Sequence, residues 1–132
     1  MATKSVAEKL LIKPGTTVWS SDASRVDLLD PLPDDVRRVD APAEAAVAVV
    51  FADDAAALRE VLAAHGQALT GPSVLWIAYP KGNRADINRD TLWPILAEHG
   101  LRPVSQVSLG DVWSALRFRP LHKGEAPFTG GR

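Results

Sequence analysis

The sequence predicts an α/β domain: a mostly parallel sheet with helices on both faces, closed by a C-terminal antiparallel β-hairpin. Three observations carry that prediction. Residues 46–51 (AVAVVF) and 74–79 (VLWIAY) are unbroken apolar runs, as expected of parallel strands buried on both faces. Each run is followed by a helical pattern, so strand and helix alternate. Two last β-rich segments, 102–109 and 112–118, flank Gly110-Asp111, a hairpin turn signal.

The elements follow in order. Residues 6–12 carry apolar side chains at Val6, Ala7, Leu10 and Leu11, a short helical face, with Ser5 and Glu8 spaced as a capping box. Lys13-Pro14-Gly15 is a turn, and residues 16–20 (TTVWS) are a β-branched and aromatic first strand. Residues 23–29 read as a helical turn or two, ended by Pro31 and Pro33. Residues 36–40 (VRRVD) form a second strand, broken by Ala41-Pro42-Ala43. Asp53 or Asp54 caps a helix running to about His65, with Leu58, Val61 and Leu62 inward and Gly66 at its end. The strand at 74–79 leads through a polar, basic loop into a helix whose core side is Leu92, Trp93, Ile95 and Leu96. With Asp90 as its cap, Pro94 falls in the first turn, where no donor is missed. An earlier start predicts a kink. His99-Gly100 closes this helix.

The 132 residues and 14.2 kDa suit one domain, assigned to residues 1–119, with a flexible polar tail at 120–132. The chain has no cysteine, which excludes disulfides, thiolate metal sites and cysteine nucleophiles. The longest apolar run, residues 45–52, is too short to cross a bilayer, and the first fifteen residues lack a signal peptide's pattern. A cytoplasmic protein without a membrane partner is expected. Net charge is −1, distributed as −4 over residues 1–60, zero over 61–100 and +3 over 101–132. That is too mild for a nucleic-acid-binding face.

One stretch gathers polar side chains in a pattern a site could use: residues 73–90, SVLWIAYPKGNRADINRD. Ligands of mostly parallel sheets sit beyond the carboxyl ends of the strands. Lys81, Arg84 and Arg89 would lie near the next helix N-terminus, which favours anions, with Asn83 and Asn88 as further donors. The competing reading is that Asp86, Asn88 and Asp90 cap the helix while the basic side chains face water. Trp113, Arg117 and Arg119 are a candidate rim. The two arginines alternate with Leu116 and Phe118 and so share one strand face, which by itself means a half-exposed strand. The four tryptophans read as core, Trp113 being the exception nearest a turn. His65 and His99 sit at helix ends, His122 lies in the tail, and no spacing suggests a metal site. No serine lies in a nucleophile elbow, and neither Asp34-Asp35 nor Asp53-Asp54 resembles an acid–base pair. No cofactor is expected from these patterns.

Two resemblances add to this reading. The order of elements is similar to the second half of the class I methyltransferase fold, a Rossmann-like architecture that also ends in an antiparallel hairpin, and LTGPSVLWIAYP is similar to the entry into that fold's fifth strand. The resemblance implies a glycine-rich turn after the first strand for S-adenosylmethionine. Here that turn is WSSDASRV, without glycine, while Asp40 stands where a ribose-binding acid would sit. The stretches AEKLLIKPGTTV, VLWIAYPKG and GLRPVSQVSLGDVWSALRF also resemble a small bacterial family of unknown function, DUF3052. That second resemblance implies a fold and no particular activity. The expectation is therefore a non-enzymatic module that binds a protein partner or itself. The alternatives are a small anionic ligand or nucleotide binder using the loop after residues 74–79, and a residual S-adenosylmethionine-dependent methyltransferase.

Overall fold

A computed structural model of the chain describes residues 6–22, 29, 32–66, 68–81, 87, 89–109, 112–121 and 124. The predicted Ser5 cap, most of the helical segment at 23–29 and nearly all of the tail lie outside the described residues. Helix α1 (Val6–Lys9) is one turn long and shorter than predicted, because Leu11 adopts a left-handed φ of 65°. The Ile12 N–H then closes back on the Ala7 carbonyl at 2.9 Å. Strand β1 (Thr17–Ser20) follows, and β2 is only Arg37–Arg38. The predicted strand at 36–40 is cut short where the chain bends after Val39 into a 3-10 turn at Pro42–Glu44.

Strand β3 (Val47–Phe51) is buried along its whole length. Helix α2 (Ala55–His65) starts where Asp54 accepts the Ala57 N–H at 2.8 Å, the predicted cap. Strand β4 (Val74–Pro80) enters the loop, and α3 (Arg89–Ala97) leaves it. Because α3 begins at Arg89, Asp90 is inside the helix and Pro94 is its sixth residue. The earlier start therefore holds, and the Asp90 carbonyl loses its intrahelical donor. Gly100, at φ 74°, turns the chain into β5 (Leu101–Leu109), and β6 (Trp113–Pro120) returns antiparallel beside it.

The described strands form one six-stranded sheet in the order β2-β1-β3-β4-β6-β5, with β2, β1, β3 and β4 parallel and β6 antiparallel to both β4 and β5. The α/β prediction with a closing hairpin is realised, and the last strand inserts beside β4 instead of at the sheet's edge. Period-two alternation divides the core between the two faces. Trp19, Val50, Ile77, Leu116 and Phe118 pack with Leu58 and Leu62 of α2 and Leu92 and Leu96 of α3. Val49, Phe51, Trp76 and Trp113 pack on the other side with Ala7, Leu10 and Ile12. Leu29, from the connection between β1 and β2, belongs to this second face. Right-handed crossovers require that division, since β1 to β2 steps one way along the sheet and β3 to β4 steps the other.

Candidate functional site

The sheet order reverses between β1 and β3, and in open α/β sheets such a switch point opens a crevice at the carboxyl ends of the strands. Those ends are Ser20, Arg38, Phe51 and Pro80. After β1 the chain is held by its own hydroxyls. Ser20 Oγ donates to the Asp22 carbonyl at 2.9 Å and accepts the Asp22 N–H at 3.2 Å. Ser21 Oγ accepts the Phe51 N–H at 2.8 Å, while the Ser21 N–H reaches the Val49 carbonyl at 3.0 Å. Ser21 thus extends the β1–β3 ladder, while Ser20 closes a local turn onto Asp22.

Of the predicted anion-binding residues, Asn83, Arg84 and Asn88 lie outside the described residues, and Arg89 is placed as the first residue of α3. Lys81 is engaged with the hairpin. Its Nζ donates to Ser108 Oγ, and its N–H reaches the Val112 carbonyl at 2.7 Å. Gln106 Nε2 donates to Tyr79 Oη at 2.7 Å, joining β5 to the same end of β4.

The predicted rim divides between opposite ends of the sheet. Trp113 lies opposite Pro80 at the loop end, but Arg117 lies opposite Trp76 and Arg119 opposite Arg102. Lys81 is five residues beyond Trp76, which at strand rise separates Arg117 from the loop by roughly 16 Å. The antiparallel course of β6 is the reason the two arginines do not join the loop cations. Nor is β6 an exposed strand: it runs inside the sheet, and both arginines are half-buried. Arg119 Nη1 donates to the Pro120 carbonyl at 2.9 Å, whereas Arg117 Nε is buried with no hydrogen-bond partner. Trp113, read from the sequence as the exposed exception, packs edge-on against Phe51 with centroids 5.6 Å apart. Trp93 is the more exposed ring. His65 ends α2 with its ring edge-on to Trp19 at 5.1 Å, and among the described residues no group of three or more acids and histidines could hold a metal.

A feature that sequence reasoning missed lies beside β2. A hollow of about 410 Å³ is lined by Thr17, Arg37, Arg38, Val39, Asp40 and Glu44. Thr17 braces its wall: Oγ1 donates to the Glu44 carbonyl at 3.2 Å and accepts the Ala46 N–H at 3.0 Å. Only Asp40 had been singled out, through the methyltransferase resemblance. The one sequence signal for the rest was a pair of adjacent arginines in a short strand with acids on either side.

No family model matches the chain, and no curated protein matches it. Solved structures do. Sp1610 of Streptococcus pneumoniae, proposed to be a tRNA (m1A22) methyltransferase, is 14% identical, with a TM-score of 0.56 covering 98% of this chain and 73% of that one. Its complex with S-adenosyl-L-methionine superposes with a TM-score of 0.53, at 14% identity over 94% of this chain and 72% of that one. The m1A22 tRNA methyltransferase TrmK of B. subtilis is 15% identical, with a TM-score of 0.51 over 91% of this chain and 67% of that one. This likeness is one of fold. It corrects the expectation of a non-enzymatic interaction or self-association module, because nearly the whole chain is laid out as a methyltransferase-like domain. The methyltransferase alternative is the one it favours.

The turn after β1 tests whether S-adenosylmethionine suits these residues. No glycine occurs between Gly15 and Gly66, so every residue of the turn carries a Cβ, and the hydroxyls of Ser20 and Ser21 are already bonded to backbone. A glycine cradle for the methionine end is absent from this turn. Asp40, exposed and two residues beyond β2, is a carboxylate acceptor of the kind a ribose diol needs. The turn after β1 therefore does not match the amino-acid half of the cofactor, while the chemistry of Asp40 is compatible with its nucleoside half.

Proposed function

We propose that the protein is a methyltransferase-like domain that binds a nucleoside-bearing ligand at the end of β2, with Asp40 accepting hydrogen bonds from the ribose hydroxyls. The observation that carries this reading is the placement of Asp40. It lies two residues beyond the second strand, where a Rossmann-like sheet carries its ribose-binding acid, and it lines the hollow beside that strand. The structural likeness to methyltransferases supports the same reading. No methyl-transfer step is assigned, since the turn after β1 does not suit the methionine end.

Isothermal titration with adenosine, S-adenosylhomocysteine and S-adenosylmethionine tests the proposal. All three are expected to bind within a few-fold of one another. Asp40→Asn should weaken each by roughly ten- to a hundredfold, the scale of a hydrogen bond to a charged group. If S-adenosylmethionine binds far more tightly than adenosine, the amino-acid half is held as well, and the full methyltransferase reading replaces this one. If none of the three binds, the nucleoside reading falls.

A further inference from the structure

We infer that the hollow beside β2 is built for a phosphorylated nucleoside, with Arg37 and Arg38 holding the phosphate; this rests on the nucleoside reading above and narrows it to nucleotides. The hollow, about 410 Å³ and open to solvent, has room for a small molecule. Two arginines and two acidic residues are among those that line it. Among the described residues, none of these four side chains makes an ion pair or hydrogen bond with another group, although opposite charges share one cavity. By contrast, Thr17 is tied to backbone on both sides, so the frame is fixed while its charged groups are uncommitted.

The two arginines are consecutive on β2 and exposed, and β2 ends the sheet. Consecutive strand residues leave on opposite sides. Because β2 is the sheet's edge, both long side chains can reach round it to one group. Guanidinium groups bind phosphate bidentately, and a carboxylate after the second strand accepts from a ribose diol. Bare phosphate would satisfy the arginines but meet repulsion from Asp40 and Glu44. A neutral nucleoside would satisfy Asp40 and leave both arginines idle. A molecule carrying both groups matches the whole wall.

The test is calorimetric titration of the full chain at low salt with adenosine, its 2′-, 3′- and 5′-monophosphates, and inorganic phosphate. At least one monophosphate should bind tenfold or more tightly than both adenosine and phosphate. In the Arg37→Gln, Arg38→Gln double variant, whose circular dichroism spectrum should stay intact, that nucleotide should bind no more tightly than adenosine binds to the same variant. Equal binding of adenosine and every monophosphate overturns the assignment while leaving the nucleoside reading standing. Phosphate binding as tightly as any nucleotide also overturns it, marking a simple anion patch. Failure of nucleosides and nucleotides alike sinks both readings.

Discussion

At the scale of single residues, Trp76 joins the sheet to the N-terminal segment. Its ring is buried in β4, and its Nε1 donates to the Leu10 carbonyl at 2.9 Å, across 66 positions of sequence. Replacing it with phenylalanine keeps most of the apolar area but removes the donor, leaving a buried carbonyl unpaired. Such a loss costs about 1–3 kcal/mol. Urea denaturation of Trp76→Phe should show a lower midpoint with an unchanged slope; an unchanged midpoint would mean that water replaces the indole. Gly100 supplies a second test. At φ 74° an alanine is strained although nothing lies within 4 Å of its Cβ. Gly100→Ala should therefore cost about 1 kcal/mol through the backbone alone. Gly100→Asn should cost less, because asparagine tolerates the left-handed region.

At the scale of elements, the boundary between Asp53-Asp54 and α2 can be tested directly. Asp54→Ala removes the side chain that accepts the Ala57 N–H and should lower stability by about 1 kcal/mol in thermal or urea melts. This cap was legible because it depends on neighbours in sequence, as were the buried β3 run and the β5–β6 hairpin. What was not legible depends on neighbours in space. The residues 112–118 read correctly as a strand, but nothing in them says that the strand lies between β4 and β5. That insertion sends Arg117 and Arg119 to the far end of the sheet from Lys81. The start of α3 stayed open in the sequence for a related reason: Asp90 has the chemistry of a cap, yet the chain is already helical at Arg89. The hollow beside β2 escaped notice because it depends on where β2 stops, and that bend after Val39 has no strong local signal beyond Pro42. The Pro94 finding yields a further test. Since its ring is exposed and its missing N–H cannot make the helical bond to the Asp90 carbonyl, Pro94→Ala should stabilise α3 by about 1 kcal/mol or more, read as a raised urea midpoint.

At the scale of the whole molecule, two apolar clusters share one sheet. Val50 and Ile77 point to the face covered by α2 and α3, while their strand neighbours Val49 and Trp76 point to the face that holds Ala7, Leu10 and Ile12. Neither cluster can come apart with β3 and β4 intact unless the other retains enough buried surface to hold the strands alone. A 132-residue chain buries too little for two independent cores, so both should melt in one transition. The four tryptophans make this measurable. Trp19 and Trp93 report the α2–α3 face, and Trp76 and Trp113 report the opposite one. Two variants, Trp19→Phe with Trp93→Phe and Trp113→Phe alone, shift the fluorescence signal toward one face or the other without removing the Trp76 donor. For each variant, the fluorescence midpoint in urea should coincide with that from circular dichroism. A fluorescence transition that precedes loss of the sheet in only one variant would show that one face opens first. The hollow beside β2, whose Thr17 brace ties β1 to the chain entering β3, would then inherit the stability of whichever face survives. Coincident midpoints would instead mean that a ligand in the hollow stabilises the entire domain, by about 2.7 kcal/mol at a hundred times its Kd.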